Sequence, residues 1–460
     1  MPDAQHGGST WRRLDACFVA LLLGAPFVDA VGLLVWARFT VLDGGVLLLA
    51  VVSLVCWLIG RNSGGSGFWL PGSALTLSVA YFLALRHLPF LVFGVVFGLV
   101  WLVASLTLFA LRIRRASLAA LCMSIGGIGI ALGEASLGLM ERCDPRRREH
   151  IEGRLIEPDP ELSGIPKPNA EIHHERMDFD VVYHTEPDRS RVVPGRPATG
   201  PRWVLFGGSF AFGWGIPDDQ TIAACLQERS SPARVFNYTV SGYGTADVYV
   251  LLRRVLRDHP DTRLCVYFLM SDHLRRTVCP DSLTAAPWGP RKPRFALRDG
   301  NIVHLGQATD TLDLTSRLNV QLLRQSRLYR ACYPRWQPSA GDAELMAALI
   351  LAMKRTCDQL LGCRFVVVNL PVRVSDREQG DVLAAKELAR LQPELAARGV
   401  AVLDCASKFT EHLAATEARE DDYYFADRHP NDRYAALVAA WLHEYLVAAG
   451  IPEAEPQHAP

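Results

Sequence analysis

The stretch "WVLFGGSFAFGWG", Trp203 to Gly215, decides how the second half of this 460-residue chain is read. The apolar run Trp203–Phe206 ends in Gly207-Gly208-Ser209, and Gly213 and Gly215 follow. A buried strand that breaks into a glycine turn ahead of a helix brings its next side chain to the edge of a sheet. Here that side chain is a hydroxyl. Such a serine can act as a nucleophile if a base lies within hydrogen-bond reach.

Strand and helix alternate from this point on. "RWVLF" reads as a strand and Gln220–Ser230 as a helix. "RVFNYTV" is a strand, and Ala246–His259 is a helix with an apolar stripe at Val248, Leu251, Leu252 and Val255. "RLCVYFLM" is apolar throughout, as a central buried strand should be. Then come a helix at Ala343–Leu361, the strand "RFVVVNL", a helix at Gly380–Arg398, the strand "VAVLDC" and a last helix at Asp432–Ala449. This order predicts an α/β domain over residues 201–450, with helices on both faces of a mainly parallel sheet. Residues 280–328 break the pattern and read as an insertion, with "RFAL" and "NIVHL" as a small hairpin over the site. Residues 451–460 read as a flexible tail.

Upstream, residues 14–141 are nearly devoid of charge within a chain that is 50% hydrophobic. They resolve into about five segments near the roughly 20 residues a bilayer span requires. These are Asp15–Ala37, Thr40–Gly60, Phe68–Leu85, Pro89–Leu111 and Ala116–Met140. Arginines at Arg12–Arg13, Arg61 and Arg112–Arg115 fall on one side of such a bundle. That side is expected to be cytoplasmic. Residues 1–13 are then a cytoplasmic N-terminus, and the α/β domain lies outside the inner membrane. Arg146–Arg148 run against this orientation, and a cleaved leader is the alternative reading of the first segment. Extra spans offer surfaces for membrane-protein partners. Asp29, Asp43 and Glu134 lie in or near the segments, as functional candidates or as interior packing groups.

Residues 142–200 are polar and proline-rich, an extended lead-in with "FDVVYHT" as an edge hairpin. His173 and His174 are adjacent, so on a strand they point to opposite faces and share no metal. Eight of the eleven cysteines follow residue 141. Cys357 and Cys363 are close enough in sequence to raise a disulfide, with buried free thiols as the other reading. A formal net charge of zero gives no basic patch for nucleic acid, and neither a zinc-type cysteine spacing nor a phosphate loop is present.

Ligands of open parallel sheets bind beyond the carboxyl ends of the strands. Four features sit there: Ser209; "NYTVSGYG" with Asn237 and Gly242; "MSDHLRR" with Ser271, Asp272, His273 and Arg275; and "ADRHPN" with Asp427 and His429. His429 suits a general base, Asp427 a carboxylate that orients it, and Gly242 a close backbone approach to an oxyanion.

This set of blocks resembles the SGNH hydrolase superfamily, also called the GDSL family. The resemblance covers about residues 160–445. It implies a three-layer, flavodoxin-like α/β/α domain with Ser209, His429 and Asp427 as the catalytic residues. Ser209, Gly242 and Ser271 would form the oxyanion hole, with no metal or cofactor. Asn237 stands five residues before Gly242, as in the family's second block. Asn237, Asp272, His273 and Arg275 are substrate-binding candidates, Arg275 with Arg276 reading either as solvated helix residues or as holders of an anionic substrate. Two positions depart from the family pattern. Gly208 replaces the aspartate of the first block, and Ser271 replaces the asparagine of the third, where a protonated His273 is a further candidate donor. Three functions stay open. One is a serine esterase or deacylase for acyl or acetyl esters of a glycan or lipid. The second is an O-acyltransferase on a surface polysaccharide, and the third is a non-catalytic binding domain.

Overall fold

The computed structural model describes residues 114–145, 148–373 and 379–451, with isolated positions 95, 99, 101, 102 and 106. The chain divides into two units, Met1–Leu139 with Arg324–Cys332, and Met140–Leu323 with Tyr333–Pro460. Most of what is described of the first unit is helix α1 (Arg114–Cys143). Its Glu134 is buried, and the carboxylate accepts hydrogen bonds from Ser326 Oγ and from the N–H groups of Arg327 and Leu328 at 2.9 and 3.0 Å. Those N–H groups open the short helix Arg327–Cys332, whose free donors favour an anion.

The transmembrane bundle expected from the hydrophobic segments is corrected here. Among the described residues no helix is long and apolar enough to cross a membrane. In the segment Ala116–Met140, Glu134 is committed to capping a neighbouring helix, and Gly133 and Gly138 face Leu328 and Arg327. The segments Asp15–Ala37, Thr40–Gly60 and Phe68–Leu85 lie outside the described residues, as does all but a few positions of Pro89–Leu111.

The second unit begins with antiparallel pieces. Strands β1 (Glu149–Glu152), β4 (Glu171–Arg176) and β5 (Phe179–His184) form a three-stranded sheet in the order β1-β4-β5. Between them β2 (Ile156–Glu157) pairs with β3 (Ile165–Pro166). The lead-in is therefore more ordered than an extended tether. Alternation sets its two faces: Ile172 and His174 on β4, and Phe179, Val181 and Tyr183 on β5, are buried, while their neighbours are not.

The five-stranded sheet is wholly parallel. Its strands are β6 (Arg202–Phe206), β7 (Arg234–Asn237), β8 (Thr262–Leu269), β11 (Arg364–Asn369) and β12 (Ala401–Asp404), in the order β12-β11-β8-β6-β7. The antiparallel hairpin β9 (Pro293–Arg298) with β10 (Asn301–Gln307) lies apart from it. The order reverses at β6, so the crevice between the ends of β6 and β8 is where such a sheet binds ligands.

Helices cover both faces. After β6 comes the single turn α2 (Ser209–Phe212), then α3 (Ile222–Arg229), α4 (Thr245–Asp258), α5 (Asp272–Val278), α6 (Ala340–Asp358), α7 (Gln379–Ala397), α8 (Cys405–Thr416) and α9 (Asp432–Ala448). The period-two alternation of β6 divides the core. Val204 and Phe206 join a cluster with Val248 and Leu252 of α4, Met346 and Ile350 of α6, and Leu388 of α7. Trp203 and Leu205 join Ile222 of α3, Phe409 of α8, and Val438 and Leu442 of α9. Side chains start several helices. Thr221 caps α3, Ser339 caps α6, Asp404 caps α8 and Asn431 caps α9, each accepting from an N–H of the first turn. Asp404 is why α8, absent from the sequence expectation, begins directly at the end of β12.

Candidate active site

Ser209 and the sequence-distant pair Asp427 and His429 meet beyond β6. His429 Nε2 lies 3.1 Å from Ser209 Oγ, and His429 Nδ1 lies 3.1 Å from Asp427 Oδ2. The His429 backbone N–H donates to Asp427 Oδ1 at 3.0 Å. With Nδ1–H turned to the carboxylate, Nε2 keeps its lone pair toward the serine. The two-residue spacing from Asp427 to His429 is achieved through Arg428 in the left-handed region, at φ 75°. A non-glycine residue there is strained, and such strain gathers at functional sites.

Asp427 is 7% exposed. Burial alone would raise its pKa; the hydrogen bonds and charge of His429 together with the Arg176 guanidinium outweigh this and hold it down at about 2. Arg176 Nη1 stands 3.3 Å from Asp427 Oδ2, and Trp214 Nε1 donates to the same oxygen at 3.2 Å. The Trp214 ring lies 5.5 Å from the imidazole of His429.

The turn that carries Ser209 is braced by the lead-in. Arg191 is fully buried and pairs with Asp218 at 2.8 Å. Its other nitrogens donate to the carbonyls of Phe212, Gly213 and Ile216 at 2.5, 2.8 and 2.6 Å. These carbonyls lie at the end of α2 and just beyond it, so one guanidinium fixes the turn that carries Ser209 and the loop that follows. Gly215, at φ 77°, donates its N–H to Tyr183 Oη, and a side chain there would strike Phe179 and Phe425. The loop bearing the histidine is held in the same way, by Asp178 accepting from the Ala426 N–H at 2.5 Å. His174 is buried between Tyr183 Oη at 2.7 Å and Glu149 at 2.8 Å, edge-on to Trp214. His173 lies on the other face of β4 with Asp180. Arg191, Arg176 and His174 carry no motif signal; only the alternation of "FDVVYHT" hinted at this sheet.

On the other flank, Gly242 takes φ 86°, in the left-handed region that glycine enters freely. Among the described residues no group accepts a hydrogen bond from the N–H of Ser209 or of Gly242. Both are thus available to an oxyanion. Lys292, fully buried, donates to the Gly242 carbonyl at 2.8 Å and pairs with buried Asp247 at 2.5 Å. Trp288 packs beside Gly242. Lys292 and Trp288 belong to the expected insertion, whose hairpin β9–β10 packs Phe295 on Tyr249 of α4. Neither residue was legible as part of a site.

The remaining sequence candidates are placed differently. Ser271 is 6% exposed at the start of α5, and its hydroxyl has no partner among the described residues. Asn237 is fully buried and its Oδ1 accepts from the N–H and hydroxyl of Thr239, which shapes the second-block loop, while its Nδ2 has no hydrogen-bond partner among the described residues. Asp272 binds Arg275 at 2.8 Å and Arg276 at 2.5 Å. Burial raises its pKa, but the two arginines win and hold it well below the usual range. That internal pairing commits Asp272, and Arg275 in part, away from a ligand.

His273, the further candidate donor, is fully buried. Burial, then the Arg276 and Lys292 charges, push its pKa well below the ordinary value, which disfavours the charged ring. Its Nδ1 lies 2.9 Å from Tyr267 Oη. Its Nε2 has no hydrogen-bond partner among the described residues and lies only 2.8 Å from where a Cβ on Gly208 would sit. The ring thus fills the space that a side chain at 208 would need, which explains why a glycine precedes the serine. Cys357 and Cys363 are free thiols.

No protein-family model and no curated protein matches the chain. Solved structures do. A lipolytic protein of the G-D-S-L family from Veillonella parvula aligns at 12% identity over 54% of this chain and 98% of its own, with a TM-score of 0.33. A family member from Desulfitobacterium hafniense aligns at 13% identity over 53% and 98%, TM-score 0.30. A catalytic mutant of an acetylxylan esterase from Geobacillus stearothermophilus aligns at 11% identity over 57% and 100%, TM-score 0.31. At such identities function is decided by the side chains of the site.

Proposed function

We propose that this chain is a serine hydrolase of the SGNH type acting on ester bonds. The observation that carries the reading is His429 bridging Ser209 and Asp427 through two 3.1 Å contacts. Nε2 takes the hydroxyl proton as Ser209 Oγ attacks the ester carbonyl. The N–H groups of Ser209 and Gly242 receive the oxyanion, with the Ser271 hydroxyl as a weaker third donor. His429 then returns the proton to the leaving alkoxide, giving an acyl-serine and an alcohol. Water, deprotonated by the same nitrogen, attacks the acyl group and releases the acid and free Ser209. Asp427 keeps the imidazole oriented and stabilises its charged form.

The substrate class proposed is an acyl or acetyl ester of a glycan or lipid. Trp214 and Trp288 support it, since they flank the reacting centre with half-buried aromatic faces. The test is acid release from a short-chain aryl ester and from an acetylated polysaccharide. Wild type should release acid from both, and Ser209→Ala from neither. Equal release by Ser209→Ala would overturn the assignment.

A further inference from the structure

Away from this site, three cysteines converge in the core. Cys265 lies within β8, Cys357 in the last turn of α6 and Cys363 one residue before β11. Their sulfurs all lie within 4.8 Å of one another, with Cys265 and Cys363 at 3.8 Å. Gly362, at φ 72°, turns the chain after α6 so that Cys363 comes back beside Cys357. Parallel pairing then sets Cys265 opposite Phe365, two residues beyond Cys363. All three are buried, among apolar neighbours such as Met353, Phe365 and Val400. A cysteine that merely fills apolar space needs no second sulfur, and three from separate elements meeting in one place is a donor set.

We infer that Cys265, Cys357 and Cys363 form a three-thiolate site for a soft monovalent cation of the Cu(I) type. A metal–sulfur bond of about 2.3 Å puts sulfurs in a trigonal plane roughly 4 Å apart, which the 3.8 Å Cys265–Cys363 separation and the 4.8 Å bound on all three pairs accommodate. No histidine or carboxylate joins the group among the described residues. The absence of a fourth donor disfavours structural zinc, which is four-coordinate, and thiolates alone select Cu(I). Binding releases up to three thiol protons to solvent and changes no oxidation state when the metal is supplied as Cu(I). Arg263 lies at the rim, donating to the Leu361 carbonyl at 2.6 Å, and offsets part of the negative charge. The adjoining loop is at the surface, with Leu361 88% exposed, which gives the ion a short way in.

The test uses the full-length reduced chain, with Cu(I) alone as the probe, in anaerobic competition with a chromogenic Cu(I) chelator. Wild type should retain one copper per chain, melt at a higher temperature with it, and show only sulfur neighbours in X-ray absorption. Cys363→Ala should lose affinity by more than about 100-fold, since even outer partners of metal ligands cost 10–100-fold. Cys405→Ala, a buried thiol outside the group, should bind as wild type does. The proposal fails if wild type yields all its copper, if nitrogen or oxygen dominates the absorption spectrum, or if Cys363→Ala binds equally well. It also fails if a disulfide links any two of the three in unreduced protein. None of these readouts depends on the chemistry of Ser209.

Discussion

The two flanks of the site are built alike and finished differently. On each, a buried cation paired to a carboxylate holds the backbone of the reactive loop. Arg191 with Asp218 holds the loop after Ser209, and Lys292 with Asp247 holds Gly242. On the acid–base flank the side chains form an unbroken chain of polar contacts from Ser209 through His429 and Asp427 to Arg176. On the oxyanion flank the N–H groups are left open. In the proposed reaction the first flank would move a proton between fixed partners, and the second would keep donors for a charge that exists only in the transition state. Both braces lie outside the parallel sheet, one in the antiparallel lead-in and one in the insertion after α5.

The sharpest way to break this comparison is to remove the finish of the acid–base flank. Asp427→Asn should lower kcat by about 10⁴ with little change in fold, because the imidazole loses its oriented tautomer. Steady-state kinetics beside circular dichroism checks it, and a loss under tenfold would mean that Asp427 does not orient the base. The braces come next. Lys292→Met leaves Asp247 buried without its partner, which should cost about 3–5 kcal/mol in denaturant unfolding. A stable Lys292→Met protein with full activity would show that the Gly242 loop needs no brace.

A third test concerns the residue before the serine. Gly208→Ala should destabilise by about 1–3 kcal/mol through overpacking against His273. The double variant with His273→Gly should recover much of that loss, and strict additivity of the two changes would refute the packing account.

The pH dependence gives a smaller effect. The folded pKa of Asp427 is depressed to about 2, below the ordinary 3.8, so its contribution is fully present above about pH 4. It should be lost as pH falls toward 2, with a size of about 2 kcal/mol. The stability difference between wild type and Asp427→Asn should shrink over that window, and a constant difference would contradict the shift. Smallest of all, Ser271→Ala should lower kcat about tenfold, roughly 1.4 kcal/mol, as expected of a weak third donor.

What could be read from the sequence follows the same division. Strand–helix alternation from Trp203 onward is a strong periodic signal, and the parallel sheet follows it. Ser209, Gly242 and His429 stood out because turn residues directly follow or precede regular elements. Arg191 and Lys292 did not, since a lone basic residue on a polar stretch looks like a solvated one until the fold buries it. Asn237 and His273 were visible as motif members, yet visibility does not tell which way a side chain turns. Both turn inward. The segments before residue 141 suggest a membrane bundle by their apolar length, scarcity of charge and the spacing of their arginines. In Ala116–Met140 the packing of Glu134 and two glycines is what composition could not show.

The most direct test of the central claim is covalent labelling by a fluorophosphonate probe, with the modified peptide located by mass spectrometry. The account predicts one adduct, on Ser209, lost in Ser209→Ala and strongly slowed in His429→Ala. Unchanged labelling in Ser209→Ala, or an adduct on another serine, would contradict it.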